Sequence, residues 1–378
     1  MLGQWARRFA NDSELNAELY FDRTFLRDPF ATSPYQPAGT LVDELDTYEL
    51  DIQHRFWLGE REQIVWGGGY RVVQDDVKQQ APNFGFFPAQ KTQRTCGVFA
   101  QNEIKVANDV YATIGSKLER NDYTGWEVEP NARLRRDMSS RQTLWTAVSR
   151  GVRIASRFDR DLAIPSIAPV LISGSKTFDS ERLVSWEMGY RAEISRTLSG
   201  SISLFYSEYD DLRGLAPTPG TTLPLVYRNV LDAESYGAEL SVAYQPMTGS
   251  TIKGGFTTLQ SNVEVSPGEV DLEGALAQTQ DPQPQFSIRS FTDLGRQVEL
   301  GVIYRWVDTL HTGNFGTPGT VPAYSELDVR LGWHATNSLE LSIVGQNLLH
   351  AQHPEYGFPS SGREELQRKV YGKAVWRF

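Results

Sequence analysis

A single cysteine, Cys96, stands in 378 residues. It excludes an internal disulfide and any multi-cysteine metal site. Within Thr95-Cys-Gly-Val-Phe-Ala-Gln101 it shares a face with Val98 and Ala100, as a small apolar side chain would. Excess positive charge is also missing: 37 Lys and Arg against 47 Asp and Glu give a net charge of -10. That balance argues against nucleic acid as a partner, which would want a basic face. No apolar run approaches the roughly 18 residues of a membrane-spanning helix. The opening Met1–Phe9 lacks the apolar core of a signal peptide. No nucleophile elbow, phosphate loop or metal-spaced His/Cys cluster occurs. Trp66-Gly-Gly-Gly-Tyr70 lacks the following helix that a phosphate cradle needs, so its glycines read as close approach or curvature in a strand. The reading is therefore of a non-enzyme, with no catalytic residue, metal ligand or cofactor assigned.

What is present is alternation. A strand shows successive side chains to opposite faces, and a membrane barrel sets lipid on one side and water on the other. In the closing segment Val370, Gly372, Ala374, Trp376 and Phe378 fall on one face, and Tyr371, Lys373, Val375 and Arg377 on the other. Residues 183–194 set Val184, Trp186, Met188, Tyr190, Ala192 and Ile194 against Ser185, Glu187, Gly189, Arg191 and Glu193. The same split recurs at Tyr236–Tyr244, Val298–Trp306 and Ile64–Val72. Aromatic residues make up 11% of the chain, with nine Trp and sixteen Tyr, which favours interfacial girdles over core packing.

Connections separate a barrel from a soluble sandwich, since both alternate. Tight turns at Leu58–Arg61, Ala107–Asp109, Met138–Arg141, Arg196–Ser199, Met247–Gly249, Leu294–Arg296 and Ala335–Asn337 alternate with long connections. The long ones lie near 24–45, 75–91, 154–180, 212–226, 262–283, 308–322 and 351–367, with the short hairpin Asn121–Gly125 as the exception. Turns at one end and loops at the other are the plan of an outer-membrane barrel. The fold expected is all-β, a transmembrane antiparallel up-and-down β-barrel of about 16–17 strands. Bacterial single-chain barrels have even strand numbers and periplasmic termini, so an odd count predicts a barrel incomplete at its N-terminal side. Pro130 cannot donate to a ladder and is expected at a bulge near the outer rim.

Five stretches, in order, resemble the C-terminal part of a TonB-dependent outer-membrane receptor of the siderophore-receptor type. They are Ser180–Arg191, Leu204–Leu212, Asn229–Leu240, Val321–Leu331 and Val344–Leu349, followed by the terminal Phe378. The resemblance covers nearly the whole chain. It implies a parent barrel of about 22 strands, stopped by an N-terminal plug domain through which the TonB complex acts. It also implies that residues 1–378 are a partial barrel domain, with plug, coupling box and signal peptide absent. The function expected is energy-coupled import of a ferric siderophore or similar scarce nutrient. Other cargo (cobalamin, haem, oligosaccharide) and a passive porin-like or structural barrel are the alternatives. Lipid and lipopolysaccharide of the bacterial outer membrane, the barrel-assembly machinery at Phe378, the TonB complex and a siderophore-like ligand are the expected partners.

Candidate ligand contacts are Phe84, Phe86 and Phe87 in Asn83–Phe87 of the long connection 75–91, apolar enough to ask for a ligand or another loop as partner. Aromatic and basic loop residues would suit an anionic, aryl-rich ferric siderophore. His353 and Tyr356 join them; with His350 and Glu355 they form a possible metal or haem contact, although solvated loop histidines are the favoured reading. Arg71, Lys117, Glu119, Arg133, Arg191, Glu239, Arg305 and Arg330 are expected to line the lumen, wetting its wall or pairing with a plug.

Overall fold

The computed structural model describes residues 1–32, 37–272, 281, 283–295, 297–314, 317–360 and 362–378. Its first part runs through Leu2–Arg8 (β1), Glu14–Phe30 (β2), Gly39–Leu58 (β3), Glu62–Gln79 (β4), Gly85–Phe86 (β5), Gln90–Ala107 (β6), Val110–Asn121 (β7), Gly125–Ser139 (β8) and Gln142–Arg153 (β9). A one-turn helix, Arg157–Asp161 (α1), precedes Leu162–Ile164 (β10), Ile172–Ser173 (β11), Glu181–Glu193 (β12), Leu198–Pro217 (β13), Leu225–Met247 (β14) and Ser250–Val265 (β15). The last part holds Gln285–Gly295 (β16), Val298–Val307 (β17), Leu310–Asn314 (β18), Thr317–Val321 (β19), Tyr324–His334 (β20), Leu339–Gln346 (β21), Gln352–His353 (β22), Leu366–Gln367 (β23) and Lys369–Trp376 (β24).

One sheet of 20 strands contains the three short strands β5, β10 and β11, which leaves 17 long ones among the described residues. Each long strand pairs antiparallel with its long neighbours along the chain, the up-and-down order expected. Among the described residues β1 pairs only with β2, and β24 only with β21. No helix among them is long and apolar enough to cross a membrane, a test that does not bear on strands.

Alternation sorts the faces as expected. Trp186, Met188, Leu204, Tyr236 and Leu240 are exposed on one face, whereas Ser185, Ser207 and Ser235 are buried on the other. The outward rows are aromatic where they meet at one level: Trp186 is opposite Tyr206, and Tyr206 opposite Tyr236. On β2 and β3 the outward face passes from Tyr48, Leu50 and Ile52 to the ion pair Arg23–Asp46 at 2.6 Å. Nearer the short-turn end, Trp66 Nε1 donates to His54 Nδ1 at 3.2 Å. Polar groups thus bound the apolar belt at both ends, which fits tilted strands needing about 9–11 residues to span a bilayer.

Several strands run far beyond that need: β3 has 20 residues, β13 20 and β14 23. They reach into connections expected to be loops, so that 24–45 contains the end of β2 and the start of β3, and 212–226 contains the end of β13. Outside the bilayer a ladder can continue with charges on both faces, and such sequence carries no apolar stripe to mark it as strand. Residues 33–36 of the connection 24–45, 273–280 and 282 of 262–283, 315–316 of 308–322 and 361 of 351–367, and Arg296 of the turn Leu294–Arg296, lie outside the described residues. The connection 308–322 folds as the hairpin β18–β19, and 351–367 carries β22 paired with β23.

Pro130 occupies no bulge. It stands in register opposite Ser116 of β7, while the pairing of β8 with β9 begins only at Asn131. There β8 has a single neighbour, so the missing N–H removes no ladder bond on the free side. Gly67 justifies the close-approach reading: a Cβ there would meet Ile52 O at 2.4 Å and the Phe99 ring at 2.8 Å.

Candidate functional site

Two long connections fold together at the long-loop end and form a roof. β10 pairs antiparallel with β5, placing Leu162 opposite Phe86, and also with β11. β11 in turn pairs parallel with β14, Ile172 opposite Leu225, so the connection after β9 is stitched to two parts of the main sheet. The helix α1 starts where a short side chain can serve the free amides: Ser156 caps it, its hydroxyl accepting from Asp159 N while its own N–H donates to the Asp159 carboxylate, a capping box.

Three charges of α1 lock the roof. Asp159 has no exposure; it accepts from Arg153 at 2.9 Å and pairs with Arg213 at 3.3 Å. Burial disfavours its charge, but the Arg153 hydrogen bond and the Ser156 N–H and hydroxyl outweigh it and hold the carboxyl below the usual carboxylate range. Arg157 is buried between Asp75, an ion pair at 2.8 Å, and Asp161 at 3.4 Å, with its guanidinium 5.0 Å above the Phe86 ring. Asp161 also takes Lys91 at 2.9 Å and the Tyr123 hydroxyl at 2.8 Å, and burial together with that carboxylate pushes the Tyr123 hydroxyl well above its ordinary value. Arg213 lies over both Phe158 and Tyr227, at 5.4 and 5.3 Å.

Beneath the roof a cavity of about 520 Å³ lies against the wall built by β9 and β12 to β15. Leu183, Tyr209, Leu212 and Val263 supply much of its apolar lining, and Glu129, Glu181, Glu234 and Asp281 its carboxylates. Its two arginines are both in ion pairs: Arg153 with Asp159 and Glu181, Arg182 with Asp211. A ligand here meets a half-apolar, acid-rimmed wall whose cations are already shared, so recognition of a bare anion would require breaking a pair.

The expected contact residues separate. Phe84 and Phe86 stand 5.2 Å apart, and Phe84 packs on Phe30 and Phe158, so these two rings have another loop as their partner. Phe87 projects from the same turn and stays half exposed. Tyr356 is strongly exposed, at 72%. His353 is not a solvated loop histidine: it is buried against Glu326 and Tyr324, because β22 folds back toward β20.

The residues expected to line the lumen all stand on long strands of the main sheet. Arg71 pairs with Glu49 at 2.7 Å, Lys117 with Glu119 and Glu129, Arg305 with Glu355, and Arg330 with Glu299 and Glu340. Arg133 covers the Trp145 ring at 5.3 Å, Arg191 stands opposite Ser201, and Glu239 opposite Ser203. Four of these eight charges, Arg71, Lys117, Glu119 and Arg330, therefore find ion-pair partners within the wall itself, and Arg305 finds one in the connection after β22. The roof residues Arg157, Asp159 and Asp161 were not singled out by sequence reasoning. The spacing Ser156-x-x-Asp159 was a usable signal for a helix start, but nothing local discloses the partners of its charges, which lie on β4, β6 and β13.

A wide antiparallel wall with an outward apolar belt, an inward charged face and an ordered roof over one end defines a barrel of the outer-membrane receptor class. The chain belongs to the TonB dependent receptor-like, beta-barrel family, whose pattern matches residues 2–348; members of that family are outer-membrane β-barrels. No curated protein matches it in sequence. Among solved structures it is similar to the siderophore receptor PirA from Acinetobacter baumannii, with 13% identity and a TM-score of 0.77 over 99% of this chain and 61% of that one. The FrpB iron transporter from Neisseria meningitidis is similar at 14% identity and a TM-score of 0.76, covering 96% of this chain and 59% of that chain. The ferric enterobactin receptor PfeA from Pseudomonas aeruginosa, solved as a point mutant, follows at 13% and 0.73, covering 99% and 60%. At such identities the likeness is one of fold. The chain spans about three fifths of the length of these structures.

Proposed function

We propose that residues 1–378 form the barrel domain, or part of it, of a receptor that captures a ferric siderophore at the outer membrane and passes it inward with TonB-derived energy. The observation that carries this reading is the ordered roof of β5, β10, β11 and α1 above the cavity on the lumenal wall. A passive pore gains nothing from stitching two long connections across its mouth, whereas a receptor needs a preformed, concave and partly apolar site. The family and the iron-siderophore receptors among its structural relatives support the same cargo class. Exposed Phe87 and the tyrosine-bearing cavity suit an aryl-containing chelate, and the paired cations favour a ligand whose charge is largely neutralised by its metal. Quenching of intrinsic tryptophan fluorescence in detergent-purified protein tests this. Saturable quenching by a ferric siderophore, absent with the same siderophore stripped of iron, is expected; saturation only by an oligosaccharide or cobalamin would reassign the cargo.

A further inference from the structure

Away from the roof, a second cluster joins β20 to the chain that follows β21. Glu326 points inward from β20 and its carboxylate is wholly buried. One of its oxygens, Oε1, faces two imidazoles: His350 Nδ1 at 2.7 Å and His353 Nδ1 at 3.0 Å. Its other oxygen, Oε2, accepts from Leu349 N at 3.3 Å. The three ligand atoms lie within 4.8 Å of one another.

The His353 ring is fixed from its far side. Its Nε2 stands 3.0 Å from Glu355 Oε1, Glu355 is held by Arg305, and the ring lies 4.8 Å from that of Tyr324. A proton on Nε2, donated to Glu355, leaves a lone pair on Nδ1. That lone pair is buried, stands 3.0 Å from a carboxylate oxygen, and makes no hydrogen bond. Two electron-rich atoms held together out of water repel unless a cation lies between them. A carboxylate that orients a histidine from behind is also the usual support of a histidine that ligates a metal.

We propose that Glu326 Oε1, His350 Nδ1 and His353 Nδ1 form a three-ligand site for a divalent transition-metal ion of the zinc class, with Glu355 and Arg305 positioning His353. Two imidazoles and one carboxylate are a donor set for borderline ions rather than for calcium or magnesium. Tetrahedral ligands about 2.0–2.1 Å from an ion stand roughly 3.4 Å apart, so the 2.7 and 3.0 Å separations must open by roughly 0.7 and 0.4 Å while the two imidazole nitrogens, which lie within 4.8 Å of each other, settle near the same spacing. His350 is the group that can move, since its side chain is 46% exposed. That exposure also provides the route for entry and leaves a fourth position to water. The bound ion would tie the connection after β21 to β20 at the long-loop end, independently of any siderophore.

Titration of the full-length protein in detergent with zinc chloride, followed by calorimetry, tests the site, and substitution by cobalt adds a visible spectrum of tetrahedral intensity. One ion per chain is expected, bound at least tenfold more weakly by His350→Ala and Glu326→Gln, about tenfold more weakly by Glu355→Gln, and unchanged by His311→Ala. Because His350 is half exposed, its variant stays informative even if Glu326→Gln fails to fold. A parent protein that retains no zinc, or equal affinity in His350→Ala, would overturn the proposal.

Discussion

Asp159 concentrates the logic of the roof in one side chain. A carboxylate with no exposure is tolerable only because Arg153, Arg213 and the Ser156 cap surround it. Asp159→Asn keeps the shape and removes the charge that two arginines share. It should loosen the roof by about 2 kcal/mol, less than for a fully buried pair because Arg153 is 42% exposed. Hydrogen exchange over residues 154–175 reads that loss directly. The folded carboxyl is held below its ordinary value, so its contribution is present above that ordinary value and is lost as pH falls through the depressed one. Protease sensitivity of the same segment should therefore rise on acidification in the parent, and a larger share of it should be pH-independent in Asp159→Asn. An identical acid response in both proteins would contradict the role given to this residue.

At the scale of elements, the short strands β5 and β10 turn two connections into one body, and the side chains of a single turn divide between holding that body and facing out of it. Phe86 packs under the Arg157 guanidinium and opposite Leu162, whereas the neighbouring Phe87 projects into solvent. Phe86→Ala should destabilise the roof by about 2–3 kcal/mol, below the range for a fully buried phenylalanine because Phe86 is only partly buried, and so weaken ligand binding indirectly. Phe87→Ala should leave exchange rates unchanged and alter only ligand affinity. If the two variants behave alike in both measurements, the division of labour is wrong. The membrane strands were legible because lipid on one side and water on the other write a period of two into residues such as Trp186–Tyr190 and Leu300–Trp306. The extensions of β2, β3 and β13 were not, because outside the bilayer both faces are wet and the period vanishes. The buried environment of His353 was hidden for another reason: Glu326 lies 27 positions earlier, and no local pattern links a strand to the loop that folds onto it.

At the scale of the molecule, the belt, the charged wall and the roof are separate parts, and the proposed function gives them separate tasks: residence in the membrane, a wetted interior, and capture at one end. The wall charges pair chiefly with one another, as in Arg71–Glu49, so they can line a passage without demanding a fixed counter-ion. On the function proposed above, recognition would fall to the loop end, where exposed Phe87 and the cavity beside Tyr209 lie. The measurement that tests this most directly is uptake of radiolabelled iron, supplied as a ferric siderophore, by cells with and without the gene, each in a TonB-competent and a TonB-deficient background. An energy-coupled receptor predicts uptake that needs both the gene and TonB, and that falls with Phe87→Ala while the amount of protein in the membrane stays constant. Uptake that persists without TonB, or that is indifferent to the gene, would contradict it.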